Sequence, residues 1–200
     1  GVAWDTSLMI LRILDKDNKG SLSLAALAIN YASMMRTRET NPVNVRVSNH
    51  SYGRSSNITA QDSTSTPQKM LLDAAAVHEA ADILLVAAAG NGTQLFGNRI
   101  DLDSPNQLIL PAMLENDNVI TVAATGTFDE LWRSSNFGLN SVDVAAPGVG
   151  IFSTLPPESE GSPHTFGAKI GTSMAAAHVS GLAALIYSLA PDASDGRGVC

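Results

Sequence analysis

"GTSMAAAHVSG", residues 171–181, decides how the rest of the chain is read. It sets Ser173 between a glycine–threonine pair and a run of small residues. Capping explains many serines at a helix start, because the hydroxyl accepts from an orphan backbone N–H. Two features go beyond capping here. Gly171 permits a tight turn, and Ala175, Ala176 and Ala177 let a helix run into the centre of a fold. The helix amides and dipole then favour an anion forming beside Ser173, which suits acyl transfer and its oxyanion intermediate.

Working outward, "DILLVAAAG" at 82–90 is a continuous apolar run, as in a strand covered on both faces. Residues 119–124 and 142–145 read as strands, as does the β-branched alternation at 43–47. "SLMILRIL", residues 7–14, reads as a buried strand stopped by the turn "DKDNKG". Between strands, Ser23 can cap a helix to about Arg38, with Leu24, Leu27, Ala28 and Tyr31 at helical spacing. Residues 55–66 form a polar loop, and Pro67 opens a helix through Ala81. A turn-rich stretch with Pro156, Pro157 and Pro163 leads to the closing helix. The alternation predicts an α/β fold, a parallel sheet with helices on both faces and right-handed crossovers. No repeat or linker divides residues 1–200, so one domain is expected.

Composition bounds the function. Two hundred residues, 44% apolar and 5% aromatic, suffice for one core of aliphatic and alanine side chains. A net charge of -7 argues against a nucleic-acid partner. Cys200 is the single cysteine, so no internal disulfide can form. No charged segment followed by an apolar one opens the chain as a secretory signal would. Residues 174–189 are weakly polar but contain His178 and several Ser and Gly, and read as short of a membrane span.

"VAAAGNG", residues 86–92, ends an apolar strand in Asn91, an amide donor preceded by a glycine that lets the chain turn. Taken singly, Asn91-Gly92 is an ordinary turn. Taken with residues 171–179, it resembles the subtilisin-like serine peptidases, or subtilases (peptidase S8). Their nucleophile motif Gly-Thr-Ser-Met-Ala-x-Pro-His-Val is matched except for Ala177 in place of proline. The resemblance spans roughly residues 1 to 190. It implies Ser173 as nucleophile and Asn91 as oxyanion donor. "SNHSYG", residues 48–53, is similar to the segment along which peptide substrate adds as a strand. Ser51, Tyr52 and Gly53 would then form one pocket wall, and Ala88, Ala89 and Gly90 the other. The pocket floor falls in residues 93–103. "SSNFG" at 134–138 and "VDVAAPGVGIFST" at 142–154 also resemble family segments, with a structural role.

A serine needs a base to become a nucleophile, and subtilisins run Asp, His, Ser along the chain. The upstream Asp and His boxes of the family are absent from these residues. His178 lies five residues after Ser173, about 500° around a helix and on another face. His78, in "AVHEAAD", reads as a solvated helix residue, His50 points opposite to Ser51, and His164 lies in a Pro-rich turn. "GVAWDTSLMILRIL" looks like the family strand that follows the histidine helix, so the expectation is a truncated catalytic domain. Missing N-terminal segments of the same domain would supply the base and its aspartate.

"DKDNKG" begins like a calcium loop, but Lys19 takes a ligand position and Ala26 stands where the bidentate glutamate belongs, leaving a solvated turn. Asp101 and Asp103 read as polar loop rather than cation site. No cofactor is required for the chemistry; the resemblance leaves room for structural calcium in the full family fold, with no site recognisable in these residues. Asn57-Ile-Thr59 and Asn91-Gly-Thr93 fit the glycosylation pattern, the second in conflict with an oxyanion role. The leading expectation is a serine endopeptidase acting on polypeptides, secreted or in the cell envelope by resemblance alone. Its alternative is a non-catalytic peptide-binding relative. An α/β-hydrolase esterase would need glycine at position 175, which is alanine.

Overall fold

In the computed structural model the described residues are 2–57, 66–92, 98–105, 107–157 and 162–189, with the backbone alone at 54–57. Their order is α1 (Leu22–Thr37), β1 (Val47–His50), β2 (Arg54–Asn57), α2 (Thr66–Ala80), β3 (Leu84–Ala88), β4 (Gln107–Leu110), β5 (Val119–Thr125), β6 (Val144–Pro147), β7 (Ile151–Leu155), β8 (Thr165–Lys169) and α3 (Thr172–Leu189). Four strands form a parallel sheet in the order β1-β3-β5-β6, with Val47 opposite Leu84 and Leu85 opposite Val119. This is the expected α/β fold.

Period-two alternation divides β3 between two cores. Leu85, Ala87 and Ala89 pack with Leu22 and Ile29 of α1 and Leu71 of α2. Val86 and Ala88 face the other way, with Val122, Ala124, Ala175 and Ala176. Helices α1 and α2 therefore cover one face of the sheet and α3 the other. The same alternation sends Ser48 and His50 of β1 toward α2, while Asn49 meets Ser180 of α3 at 3.0 Å.

Several sequence expectations shift. The α1 cap is Ser21, whose Oγ accepts from Leu24 N at 3.2 Å, not Ser23. The helix buries Leu22, Ala25, Ala26, Ile29 and Ala32, and leaves Leu24, Leu27 and Tyr31 exposed. Small residues allow α1 to approach α2 closely, so the face richer in alanine is the one buried. Residues 7–14 form no strand. Leu8 and Ile10 are each 80% exposed, since an apolar run becomes a strand only beside a partner that completes its ladder. β1 starts at Val47 rather than Val43, β6 at Val144 rather than 142, and β2 takes residues 55–57 of the polar stretch, with Arg54, into a pair with β4. The antiparallel pair β7–β8 was hidden by the prolines of its connection and by facing outward, with Phe152 and Phe166 exposed and stacked at 6.0 Å. Pro67 sits in the first turn of α2 as expected.

Helix α3 passes, by length and composition alone, for a membrane span, with mean hydropathy 1.3, where the sequence reading had it fall short. Its Ala175 and Ala176 lie in the core against the sheet.

Candidate active site

Ligands of open parallel sheets bind beyond the carboxyl ends of the strands, and there the chain turns sharply after β3. Gly90 adopts φ +101°, and a Cβ on it would come 2.5 Å from Asn136 Nδ2. Asn136 is almost fully buried and clamps this turn. Its Nδ2 donates to Ala89 O at 2.7 Å and its backbone N to Gly90 O at 3.0 Å. Its Oδ1 accepts from Gly92 N at 3.0 Å and Ile100 N at 2.9 Å. Gly90→Ala is therefore opposed twice, by backbone and by space, and is expected to cost about 1–3 kcal/mol. Urea unfolding would measure it, and a loss under a few tenths of a kcal/mol would contradict the clamp.

A second tight turn meets the first. Gly171 adopts φ +144°, and a Cβ there would stand 3.1 Å from Asn91 Nδ2. Thr172, fully buried, then opens α3. Its N and its Oγ1 each donate to Asn91 Oδ1 at 2.9 Å, and Gly90 N donates to Thr172 Oγ1 at 3.1 Å. A backbone N–H can only donate, so the end of the carboxamide facing Thr172 is its oxygen. The NH₂ is left as the end that an incoming group can meet, and Asn91 is exposed.

Ser173 is half-buried beside it. Its Oγ donates to Ser51 O at 3.1 Å, and Ser51 Oγ donates to Ser173 O at 2.7 Å. The hydroxyl, the carboxamide and the 51–53 segment thus converge on the start of α3. Ala88 and Ala89 do not present side chains to this cleft. They are 4% and 0% exposed and point into opposite cores, so any wall they form is backbone. Gly90 and Tyr52 are half-buried and Gly53 is exposed.

All four histidines are described, and none is hydrogen-bonded to Ser173. His178 Nδ1 pairs with Met174 O at 2.9 Å, one turn back in its own helix. His164 is exposed before β8, whereas Ser173 follows that strand's other end. His50 pairs with Tyr52 Oη at 2.6 Å and Ser48 Oγ at 2.9 Å. His78 corrects the sequence reading: it is fully buried, not solvated, and pairs with Ser33 Oγ at 2.9 Å and Ser48 Oγ at 2.8 Å. The run Ala74, Ala75, Ala76 before His78 puts small side chains on both sides of the helix there and so does not mark which side is closed. Burial lowers His50 to about 3, with the neighbouring His78 adding to the shift, and burial lowers His78 to about 4.

Sequence reasoning passed over Thr172, although it flanks the serine, and Asn136, whose "SSN" neighbours carry no burial signal yet are fully buried. Asp103 ties its loop to residues 139–141. Its carboxylate accepts from Leu139 N, Asn140 N, Ser141 N and Ser141 Oγ, which hold it below the usual range, the Ser141 hydroxyl foremost. Asp15 accepts from Asp17 N and Lys19 N within its turn, the solvated turn expected. Among the described residues no cluster of three or more His, Cys, Asp or Glu is placed to hold a metal ion. Thr59 and Thr93 of the two glycosylation matches lie outside the described residues, as does much of the expected pocket floor at 93–103.

A parallel sheet covered by helices on both faces, with a helix-leading serine whose preceding threonine is tied to an asparagine at the end of an inner strand, defines the subtilisin-like class of α/β proteins. The family model described as the subtilase family, Peptidase S8, matches residues 1–196, and the chain belongs to that family. It is 34% identical over 190 residues to the thermophilic serine proteinase of Bacillus sp. (strain AK1), covering 94% of this chain and 37% of that protein. It is 32% identical over 194 residues to subtilisin DY of Bacillus licheniformis, covering 97% and 58%. A solved protease from Pseudoalteromonas arctica PAMC 21717 superposes with TM-score 0.71 at 29% identity, over 97% of this chain and 54% of that one. The chain thus spans about 37–58% of the length of these relatives.

Proposed function

We propose that the chain is the C-terminal part of the catalytic domain of a serine endopeptidase that cleaves polypeptides through an acyl-enzyme on Ser173. The single observation behind this reading is the pair of bonds from Thr172 to Asn91 Oδ1, which aims the carboxamide NH₂ beside the serine. Peptide lies along Ser51, Tyr52 and Gly53, with Ala88, Ala89 and Gly90 behind the pocket. Ser173 Oγ attacks the scissile carbonyl, and Asn91 Nδ2 and the Ser173 N–H receive the oxyanion at the N-terminus of α3. The Oγ proton goes to a base held, with its aspartate, by segments outside these 200 residues. Two features support that supply. Ser173 Oγ donates to a carbonyl rather than to a base. The outer side of α3 keeps Leu182, Ile186 and Leu189 at least half exposed, an apolar surface suited to cover by further chain. No cofactor takes part in this chemistry, structural calcium is left to the rest of the domain, and the location is exported.

Asn91→Leu removes the donor and keeps the volume. It is expected to lower kcat about 100- to 1,000-fold with little change in KM, a scale measured on subtilisin's own oxyanion asparagine and not obtained from these distances. The primary test is fluorophosphonate labelling of the full natural chain against Ser173→Ala. Labelling of the wild type alone supports the peptidase. Its absence at saturating probe leaves the non-catalytic peptide-binding reading.

A further inference from the structure

We infer that Tyr52, His50, Ser48, His78 and Ser33 form a one-way hydrogen-bond relay that positions the 51–53 segment against Ser173. The links are Tyr52 Oη to His50 Nδ1 (2.6 Å), His50 Nε2 to Ser48 Oγ (2.9 Å), Ser48 Oγ to His78 Nε2 (2.8 Å) and His78 Nδ1 to Ser33 Oγ (2.9 Å). The last hydroxyl donates to Ile29 O at 3.0 Å inside α1. The relay so runs from the cleft wall through β1 and α2 into α1.

Its direction follows from counting hydrogens. A neutral imidazole carries one N–H and one acceptor nitrogen, and each hydroxyl has one hydrogen to give. If Tyr52 donates, His50 is protonated on Nε2, Ser48 gives its one hydrogen to His78 Nε2 at 2.8 Å rather than to the more distant Leu84 O at 3.4 Å, His78 is protonated on Nδ1, and Ser33 gives its hydrogen to Ile29 O. Every hydrogen finds an acceptor. Run the other way, Ser33 surrenders its bond to Ile29 O, and the Tyr52 hydroxyl is left with no acceptor among the described residues. The lost Ser33 bond is the costly part, because Ser33 lies in the interior at 1% exposure beside His78 at 0%, whereas Tyr52 is half-buried.

The relay reaches the cleft because Ser51 sits between its first two members. His50 and Tyr52 flank the residue whose carbonyl and hydroxyl both bond Ser173. Fixing the two side chains in the core fixes the peptide units on either side of Ser51. These are positioning residues. Tyr52 belongs to the segment along which peptide lies, whereas His50, Ser48, His78 and Ser33 touch neither substrate nor the reacting atoms; the inference rests on the peptidase reading only for its effect on hydrolysis.

The test has two parts, both on the full natural chain. Ring ¹⁵N spectra of the wild type require no activity: His50 should be protonated on Nε2 and His78 on Nδ1, both neutral at pH 7, and any other pattern overturns the relay. Tyr52→Phe and Ser33→Ala then break it at opposite ends. Each should speed amide exchange at residues 51–53 at least tenfold and raise KM for a peptide substrate several-fold with a smaller change in kcat. The double variant should be no worse than the worse single one, since a chain broken twice is still one broken chain. Unchanged exchange at 51–53 in Ser33→Ala, or additive effects, would show local packing instead. A wild type without hydrolysis defeats the peptidase reading and leaves the exchange and spectral results to decide the relay.

Discussion

Ser173→Ala in the full natural chain is expected to cut kcat for peptide hydrolysis by about a million-fold, a scale that belongs to the equivalent loss in subtilisin rather than to any distance in this chain. The geometry explains why the effect would be so concentrated. Asn91 is held by Thr172, the residue before the nucleophile, and Asn136 holds the turn that carries Asn91, so the oxyanion donor does not depend on the Ser173 hydroxyl. The variant should therefore keep its fold and its peptide affinity while losing chemistry. Steady-state kinetics beside thermal unfolding would separate the two. A variant that still hydrolyses at more than a thousandth of the wild-type rate would place the nucleophile elsewhere.

Acid should unfold this protein early. His50 and His78 are buried neutral, with values lowered by desolvation to about 3 and about 4 against 6.5. The sign follows from proton counts: between about pH 6.5 and the lowered values the unfolded chain binds protons that the folded chain refuses, so stability falls as pH falls. At about 1.4 kcal/mol per unit for each group, the loss from pH 6.5 to 4.5 is on the order of 5 kcal/mol, a large part of a domain's usual 5–15. The slope from the two groups is half its maximum at pH 6.5 and fades only as pH rises well above that value. Urea midpoints taken from pH 7 to 4.5 would measure the effect, and His50→Gln, which keeps polar atoms without the titration, should flatten the curve by nearly half. Equal slopes in wild type and variant would assign the acid sensitivity to carboxylates.

The sequence by itself carried the class of fold and the two ends of the site. The apolar run at 82–90 has no polar face, so it had to be an inner parallel strand, and Ser173 and Asn91 stand beside glycines that the turns at 171 and 90 require. Local chemistry was enough for these, because a turn or a doubly buried strand is dictated by the residues within it. The tertiary structure decided what depends on a neighbour. Residues 7–14 are apolar enough for a strand, yet a ladder needs a second chain segment and none among the described residues pairs with them. His78 looked solvated because α2 has small residues on both sides, and only the approach of α1 and β1 shows which side is closed. Thr172 and Asn136 lie 81 and 47 residues from their main partners, a separation at which spacing carries no information about contact. Burial and hydrogen-bond pairing belong to pairs of segments, so they become definite only once the segments are packed.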